Sequence, residues 1–239
     1  MHDNPDMQKN SHFEYVIPTN KLTDSTKIAP SKPNPEKVKK QALEYMSQLT
    51  GWCPQEKALF LVDLILKNPP EVVLEIGVFG GKSLIPMACA LRANKKGKIY
   101  GIDPWDSYES TQWMKDDTNR AFWNAVDHEG ILRDLVQKID QFQLEDQIEL
   151  IRSTSEAAEL IENIDILHVD GNHSEETSYL DVIKWVPQMK TGGVIILDDI
   201  HWSEAGVNTT DKAIRWLDAN CSKLAEFNEL TGWAVWRKL

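Results

Sequence analysis

The stretch Val72-Val-Leu-Glu-Ile-Gly-Val-Phe-Gly-Gly-Lys-Ser83 joins a short apolar run to the start of a helix. Gly77 follows the apolar run directly, which predicts a strand that ends in a tight turn with positive φ. Pro86 lacks an N–H and is harmless only in the first turn of a helix, so the helix is expected to begin near Ser83, a favoured N-cap residue. The pattern therefore predicts a strand, a glycine loop and a helix whose free N–H groups face a ligand.

Apolar runs and amphipathic segments alternate along the rest of the chain. Strands separated by helices form a parallel sheet that is covered by helices on both faces. The last two strands have only Thr231-Gly232 between them and are expected to pair as an antiparallel hairpin. The predicted fold class is α/β, with a doubly wound, mostly parallel seven-stranded sheet that ends in this hairpin. The predicted strands are 72–76, 98–102, 147–151, 165–169, 193–197, 224–230 and 233–237, and the predicted helices are 35–49, 55–67, 83–93, 131–142, 175–189 and 211–224.

Length and composition limit the organisation and the partners. The 239 residues suit one α/β domain over 36–239, preceded by a polar, proline-containing arm over 1–35 that we expect to be flexible. A net charge of −11 disfavours nucleic acid, because phosphate binding needs clustered lysine and arginine. The three cysteines are widely spaced, which argues against disulfides and zinc, and no apolar run or signal peptide indicates a membrane. We expect a cytoplasmic enzyme that acts on a small molecule, as a monomer or a homodimer.

The glycine spacing of the loop points away from a dinucleotide. Gly77, Gly80 and Gly81 form a Gly-x-x-Gly-Gly pattern, whereas a dinucleotide loop needs Gly-x-Gly-x-x-Gly to seat its pyrophosphate. Gly80 and Gly81 would let the backbone approach a ligand closely. S-Adenosylmethionine has no phosphate; Glu75 suits its cationic end, and Asp103, which ends the second strand, can accept hydrogen bonds from its ribose. The alternative is a glycine turn beside a surface acid.

Several motifs together resemble one family. They are Gly51-Trp-Cys-Pro-Gln-Glu-Lys57, Glu75-Ile-Gly-Val-Phe-Gly-Gly-Lys-Ser-Leu-Ile-Pro86, Gly101-Ile-Asp-Pro-Trp105, Asp170-Gly-Asn-His-Ser-Glu175, and Gly192-Gly193 ahead of Asp198-Asp199. Over about residues 50–239 the chain resembles the class I S-adenosylmethionine-dependent methyltransferases, and more closely the bacterial methyltransferase-24-type family. The resemblance implies S-adenosylmethionine as the cofactor, with its adenine held near Arg152–Ser155. The expected cofactor-binding residues are Glu75, Gly77, Phe79, Gly80, Gly81, Ser83, Asp103, Trp105, Ser153, Thr154 and Asp170.

Three acidic residues follow neighbouring predicted strands. Asp170 ends the fourth strand, and Asp198 and Asp199 end the fifth. Adjacent strands lie about 4.8 Å apart, so the three carboxylates are expected to meet and to repel one another unless a cation neutralises them. Carboxylates favour Mg²⁺ or another hard divalent cation, and the pattern is similar to that of macrocin-type metal-dependent O-methyltransferases. The alternative is that Asp170 only positions the cofactor and that the other two acids cap a turn.

The candidate proton acceptor departs from the macrocin-type pattern. In that type an acid stands two residues after the first Asp, whereas here the position is Asn172, whose amide cannot take a proton. His173 follows it and has an unperturbed pKa near neutrality. We therefore expect His173 and Asp170 to be the catalytic residues, with His168 in the core and with His201 and Trp202 as candidates for the substrate pocket.

A long segment rich in aromatic residues, about 104–130, separates the second strand from the next predicted helix. Loops of this length are usually functional or disordered, and the aromatic content argues against disorder. We expect a partly helical lid over the cofactor and substrate. The alternatives are a small second core and an oligomer interface.

The predicted reaction is an SN2 transfer of a methyl group from the cofactor sulfonium to an oxygen or nitrogen. We expect O-methylation of a small hydroxylated molecule, such as a sugar or a secondary metabolite, with assistance from a divalent metal if one binds. The alternatives are an NAD-dependent oxidoreductase and a cofactor-binding regulatory protein without catalysis. The terminal hairpin and the glycine spacing argue against the first.

Overall fold

Helices and strands alternate along residues 33–239, the part of the chain that the computed structural model describes. The helices are α1 (Pro35–Met46), α2 (Gln55–Lys67), α3 (Leu84–Asn94), α4 (Ser107–Ser110), α5 (Asp117–Ala125), α6 (His128–Phe142), α7 (Glu175–Trp185) and α8 (Asp211–Asn220), with a 3₁₀ turn at Val186–Gln188. The strands are β1 (Val72–Ile76), β2 (Lys98–Asp103), β3 (Ile148–Arg152), β4 (Ile164–Val169), β5 (Met189–Asp198), β6 (Ser203–Glu204), β7 (Val207–Asn208), β8 (Cys221–Phe227) and β9 (Trp233–Lys238).

The main sheet has seven strands in the order β3-β2-β1-β4-β5-β9-β8. The first five are parallel to one another, and β9 is antiparallel to both β5 and β8. The predicted fold class, including the terminal hairpin, is confirmed. Strand order reverses between β1 and β4, and a ligand crevice in an open α/β sheet forms at the carboxyl ends of strands at such a point. The candidate site therefore lies beyond the ends of β1, β2, β4 and β5.

Each face of the sheet carries its own hydrophobic core. Side chains from α1, α2, α3 and α6 pack on one face, and side chains from α7 and α8 pack on the other. Successive residues of β1 alternate between the two cores, with Val73 in the first and Leu74 in the second. This double burial explains why the central strands are nearly continuous apolar runs in the sequence. No helix in residues 33–239 has the length and apolarity that crossing a membrane requires.

Two predicted helix ends were wrong, and one short hairpin was not predicted. Helix α8 ends at Asn220, four residues before the predicted Leu224, and Cys221 begins β8 with an extended backbone at φ −135°. The helix predicted over 175–189 gives way to a 3₁₀ turn containing Pro187, whose missing N–H cannot continue the α-helical ladder. The short β6–β7 hairpin was not predicted. Most of the predicted arm, residues 1–32, lies outside the described residues, and Pro35 already opens α1 behind the N-cap Asn34.

Gly77 sets the distance between β1 and β4. Its φ is +83°, as predicted, and a Cβ there would lie 2.0 Å from the Asp170 carbonyl oxygen. Gly192 has a similar φ of +82°, but a Cβ there would have no atom of residues 33–239 within 4 Å. The two glycines thus separate the effect of backbone conformation from that of close approach.

Gly77→Ala is expected to lower the free energy of unfolding by more than about 3 kcal/mol, because strain at positive φ adds to a backbone overlap. Gly192→Ala is the control and should cost about 1–2 kcal/mol, the conformational part alone. Urea unfolding measures both. Equal losses would contradict the close approach of the two strand ends.

Candidate active site

Asp103 fixes the conformation of the glycine loop. Its Oδ2 accepts hydrogen bonds from the backbone N–H groups of Val78 and Phe79 at 3.0 and 2.9 Å, and its Oδ1 accepts one from Trp105 at 2.7 Å. Burial raises the pKa of Asp103, although these three N–H groups oppose the rise. The carboxylate thus holds the loop after β1, and its oxygens retain lone pairs for a ligand.

Gly80 and Gly81 make room for the chain itself. A Cβ on Gly80 would lie 2.2 Å from the Thr50 carbonyl oxygen, and one on Gly81 would lie 2.5 Å from Leu135 Cδ1. Gly81 also has a φ of +80°. The loop is therefore packed tightly between the segment before α2 and helix α6, a reason for glycine that the sequence analysis did not include.

Glu75 lies behind the loop, with no exposed surface. Its Oε1 accepts a hydrogen bond from Ser83 Oγ at 2.5 Å and lies 2.8 Å from His168 Nδ1. Burial raises the pKa of Glu75 to about 8, and burial followed by the charge of Lys57 lowers the pKa of His168 to about 3. Near neutral pH these two side chains are therefore an uncharged hydrogen-bonded pair. His168 lies in the core, as expected.

Helix α3 begins after Ser83, as predicted, but the Ser83 hydroxyl makes no N-cap hydrogen bond. It is directed to Glu75 instead. Because Glu75 is held by Ser83 and His168 away from the cavity described below, the structure does not bring it to the place where we expected a cationic ligand group.

Lys57 of α2 lies between two of the three predicted acids and is only 1% exposed. Its Nζ donates to Asp170 Oδ2 at 3.2 Å and to Asp198 Oδ2. Burial lowers the pKa of Lys57, but the charge and hydrogen bond of Asp170, together with Cys53 and Asp199, outweigh this and keep the pKa above its ordinary value. An ammonium group therefore neutralises part of the acidic cluster.

Sequence reasoning missed this lysine, although a signal was present. Lys57, Leu61 and Ile65 recur at intervals of four along α2, and all three are buried on the same stripe of the helix. A lysine on an apolar stripe requires a buried partner, because an unpaired charge is too costly to bury.

His173 and Asp199 form a half-buried pair in the site. His173 Nε2 lies 2.7 Å from Asp199 Oδ2. Burial lowers the pKa of His173, but the charge and hydrogen bond of Asp199 together with the charge of Asp170 outweigh this, so the pKa is raised above 6.5. Burial likewise opposes ionisation of Asp199, yet the adjacent imidazolium brings its pKa down to about 2. The Trp202 ring lies 5.3 Å from the His173 ring.

The three predicted acids fall into two overlapping clusters, each of which also contains a histidine. The side-chain atoms within 4.8 Å of one another fall into two sets, one of His168, Asp170 and Asp198 and the other of Asp170, His173 and Asp199. Lys57 Nζ is bonded to the two carboxylate oxygens of the first set, and His173 occupies Asp199 Oδ2 in the second. Basic side chains thus engage Oδ2 of all three predicted acids, so an ion that used these oxygens would have to displace Lys57 or His173.

A cavity of about 950 Å³ adjoins all of these groups. Its walls come from the glycine loop, from the ends of β2, β4 and β5, from the β8–β9 turn and from the aromatic segment. The predicted site residues that line it are Gly77, Phe79, Gly80, Ser83, Asp103, Thr154, Asp170, His173, Asp198 and Asp199. Four others lie behind the lining: Glu75, Gly81, Trp105 and Ser153. Trp202 also lines the cavity, whereas His201 does not.

Asp181 of α7 is a lining residue that the sequence analysis missed. It is 1% exposed, and its Oδ1 accepts a hydrogen bond from Ser155 Oγ. Burial raises the pKa of Asp181 to about 7, and its Oδ2 has no hydrogen-bond partner among residues 33–239. Its carboxyl therefore offers a free polar atom beside Thr154.

The aromatic segment covers one side of the cavity. It contains α4 and α5, and Phe122 and Trp123 of α5 pack at 5.9 and 6.2 Å from the ring of Trp52. Trp52 in turn stacks on Phe79 of the glycine loop at 5.5 Å. Trp105 does not reach the cavity, because it is buried and its Nε1 donates to the Phe79 carbonyl at 2.9 Å. The segment is thus partly helical, and its Trp123 ring also contacts Phe79 of the glycine loop at 5.5 Å.

Comparison with known proteins decides the family. The model of the methyltransferase-24 family, described as a methyltransferase domain, matches residues 74–200. The chain belongs to this family. It is therefore an S-adenosylmethionine-dependent methyltransferase with the class I fold, as the motifs predicted, and not a dinucleotide oxidoreductase. No curated protein matches the sequence.

Solved structures share the fold at low sequence identity. An S-adenosylhomocysteine-bound methyltransferase of Podospora anserina, PaMTH1, superposes with a TM-score of 0.59 at 14% identity, over 95% of this chain and 100% of that one. The O-methyltransferase TomG of Streptomyces achromogenes, involved in tomaymycin synthesis, gives a TM-score of 0.57 at 14% identity, over 86% and 91%. At these identities the likeness concerns the fold alone.

The His173–Asp199 pair stabilises the methyltransferase fold within a defined pH window. The raised pKa of His173 gives a contribution that is complete below the unfolded value of 6.5 and is lost as the pH rises through the folded value. The lowered pKa of Asp199 gives a contribution to folding stability that is complete above the unfolded value of 3.8 and is lost as the pH falls towards the folded value of about 2. The full contribution is therefore present between these two unfolded values.

Asp199→Asn tests this window without adding backbone strain, because asparagine tolerates the φ of +54° at this position. The substitution is expected to cost about 2 kcal/mol near pH 5.5 and clearly less near pH 9, as measured by urea unfolding. A loss that is larger near pH 9 would contradict the assigned ion pair.

Proposed function

We propose that this methyltransferase transfers the methyl group of S-adenosylmethionine to a hydroxyl of a small molecule, a sugar or a secondary metabolite. One observation carries the proposal: a single cavity joins the glycine loop and Asp103 to the His173–Asp199 pair. Its volume of about 950 Å³ suits a cofactor and a small acceptor together. Donor and proton acceptor thus share one enclosed space.

The cofactor binds at the end of the cavity that Asp103 closes. We assign the ribose hydroxyls to Asp103, whose carboxylate faces the cavity while it holds the loop. Thr154 and Oδ2 of Asp181 would hold the adenine of the cofactor, and Gly77–Gly80 would hold its methionine part. Glu75 acts indirectly, by fixing Ser83 at the start of α3. Trp105 also acts indirectly, because it holds the Phe79 carbonyl.

His173 accepts the proton of the acceptor hydroxyl. When bound, S-adenosylmethionine would supply a methyl group activated by its sulfonium, and the imidazole would take the hydroxyl proton as that methyl group passed from sulfur to the acceptor oxygen. The products are a methyl ether, S-adenosylhomocysteine and an imidazolium that Asp199 stabilises. Asp170 lies close to Asp198 on one side and to the His173–Asp199 pair on the other, and its carboxylate holds the Lys57 ammonium. The aromatic rings of 104–130 cover the acceptor and exclude water.

Cofactor binding is tested by Asp103→Ala. We expect the dissociation constant for S-adenosylhomocysteine, measured by calorimetry, to rise about 10- to 100-fold, because the ribose contacts and the loop support are both lost. The matched control is Asp106→Ala, which removes the same charge from an exposed residue of the same segment that does not line the cavity. A similar loss in both variants would contradict the assignment.

His173→Asn is expected to lower kcat about 10²- to 10⁴-fold and to leave S-adenosylhomocysteine affinity nearly unchanged. The control is His201→Asn, because His201 is exposed and bonds to Asn228 Oδ1 outside the cavity. Methyl transfer to a panel of hydroxylated acceptors measures both.

The pH profile adds a second readout. Only the neutral imidazole accepts a proton, so the rate should rise with pH through a value above 6.5, and Asp199→Asn should move this rise to lower pH. A full rate in His173→Asn, or a rise that does not move, would contradict the role of His173.

A further inference from the structure

We propose that Lys57 is the resident cation of the acidic cluster and that its ammonium group takes the place of a divalent metal, so that methyl transfer by this chain is metal-independent. The proposal rests on the proposed function, because it concerns the same reaction site. It assigns Lys57 the part of a positioning residue, which acts through Asp170 and Asp198.

The contacts of Lys57 carry the first step. Its Nζ bonds to Asp170 Oδ2 and Asp198 Oδ2, the same two atoms that would face an ion in this place. These contacts join residues that are 113 and 141 positions apart in the chain. The ammonium therefore holds the ends of β4 and β5 together, as a bridging metal would.

Burial carries the second step. Lys57 is 1% exposed, and its helix neighbours Leu61 and Ile65 are fully buried. A metal that bound Asp170 Oδ2 and Asp198 Oδ2 would have to expel the ammonium from both oxygens. The only further side-chain ligand that the first set offers is His168 Nε2, at 3.9 and 3.8 Å from these oxygens. Displacing the buried ammonium from its carboxylates costs enough free energy to lower the affinity for such a metal ion by at least about 100-fold.

Charge carries the third step. One ammonium against two carboxylates leaves a net negative charge at the ends of β4 and β5, next to a pair, His173 and Asp199, that is neutral as a whole. A cationic sulfonium is favoured beside a negative cluster. A divalent ion in addition to Lys57 would make the cluster positive and would disfavour that cofactor. The lysine therefore suits the positive charge of S-adenosylmethionine better than a divalent metal would.

The test measures Mn²⁺ binding to the full chain by electron paramagnetic resonance. We expect the wild type to bind no Mn²⁺ tighter than about 1 mM, and Lys57→Ala to gain at least about 100-fold in affinity, because it leaves two adjacent carboxylates without a cation. The matched control is Lys82→Ala, a lysine that lines the same cavity but donates to the Gly51 carbonyl at 3.1 Å. This control should show no gain in Mn²⁺ affinity. The double variant Lys57→Ala with Asp198→Asn should lose the Mn²⁺ affinity that Lys57→Ala gains.

Wild-type protein alone suffices to overturn the proposal if Lys57→Ala does not fold. Stoichiometric Mn²⁺ binding in the micromolar range, or methyl transfer abolished by EDTA and restored by Mg²⁺, would contradict it. A folded Lys57→Ala variant without any gain in Mn²⁺ affinity would also contradict it. The proposed function fails differently, by absence of S-adenosylhomocysteine binding, so the two failures are distinguishable.

Discussion

The buried contact between the Lys57 ammonium and the carboxylates of Asp170 and Asp198 determines the arrangement of the site. It connects a helix that precedes the sheet to the ends of two central strands. Loss of one partner of such a buried pair typically costs about 3–5 kcal/mol, because the remaining charge stays buried without compensation. The positions of Asp170 and Asp198, and with them the floor of the cavity, depend on this one cation.

Charged and uncharged groups occupy separate layers around that contact. Behind it, Glu75, His168 and Ser83 form a neutral hydrogen-bonded group, since burial moves the pKa of Glu75 to about 8 and that of His168 to about 3. In front of it, His173 and Asp199 face the cavity as an ion pair. A rigid neutral layer behind a charged one is suited to catalysis, because the groups that react are held by neighbours that do not titrate with them.

Much of the fold could be predicted because its signals are local. The bounds of α2 and β1 follow from a proline pair and a glycine loop, and both were predicted to the residue. The end of α8 could not be predicted, since Cys221 and Leu224 fit a helical stripe as well as a strand. There the pairing of β8 with β9 decides, and this pairing is a property of the whole sheet.

The residues of the site were predicted better than their partners. Asp103, Asp170, His173 and Asp199 all line the cavity, because residues at the carboxyl ends of parallel strands must meet at one edge. The direction of Glu75 could not be read from a strand that is buried on both faces. The contact of Lys57 with Asp170 and Asp198 was not predicted, because the sequence shows which acids meet but not that α2 brings a lysine to them.

A crystal structure of the full chain with S-adenosylhomocysteine and Mn²⁺, with anomalous scattering recorded for manganese, tests the central claim most directly. We expect S-adenosylhomocysteine in the cavity with its ribose at Asp103, Lys57 Nζ between Asp170 and Asp198, and no anomalous peak among these side chains. A manganese ion bound by Asp170 and Asp198 with Lys57 displaced, or S-adenosylhomocysteine bound away from Asp103, would contradict it.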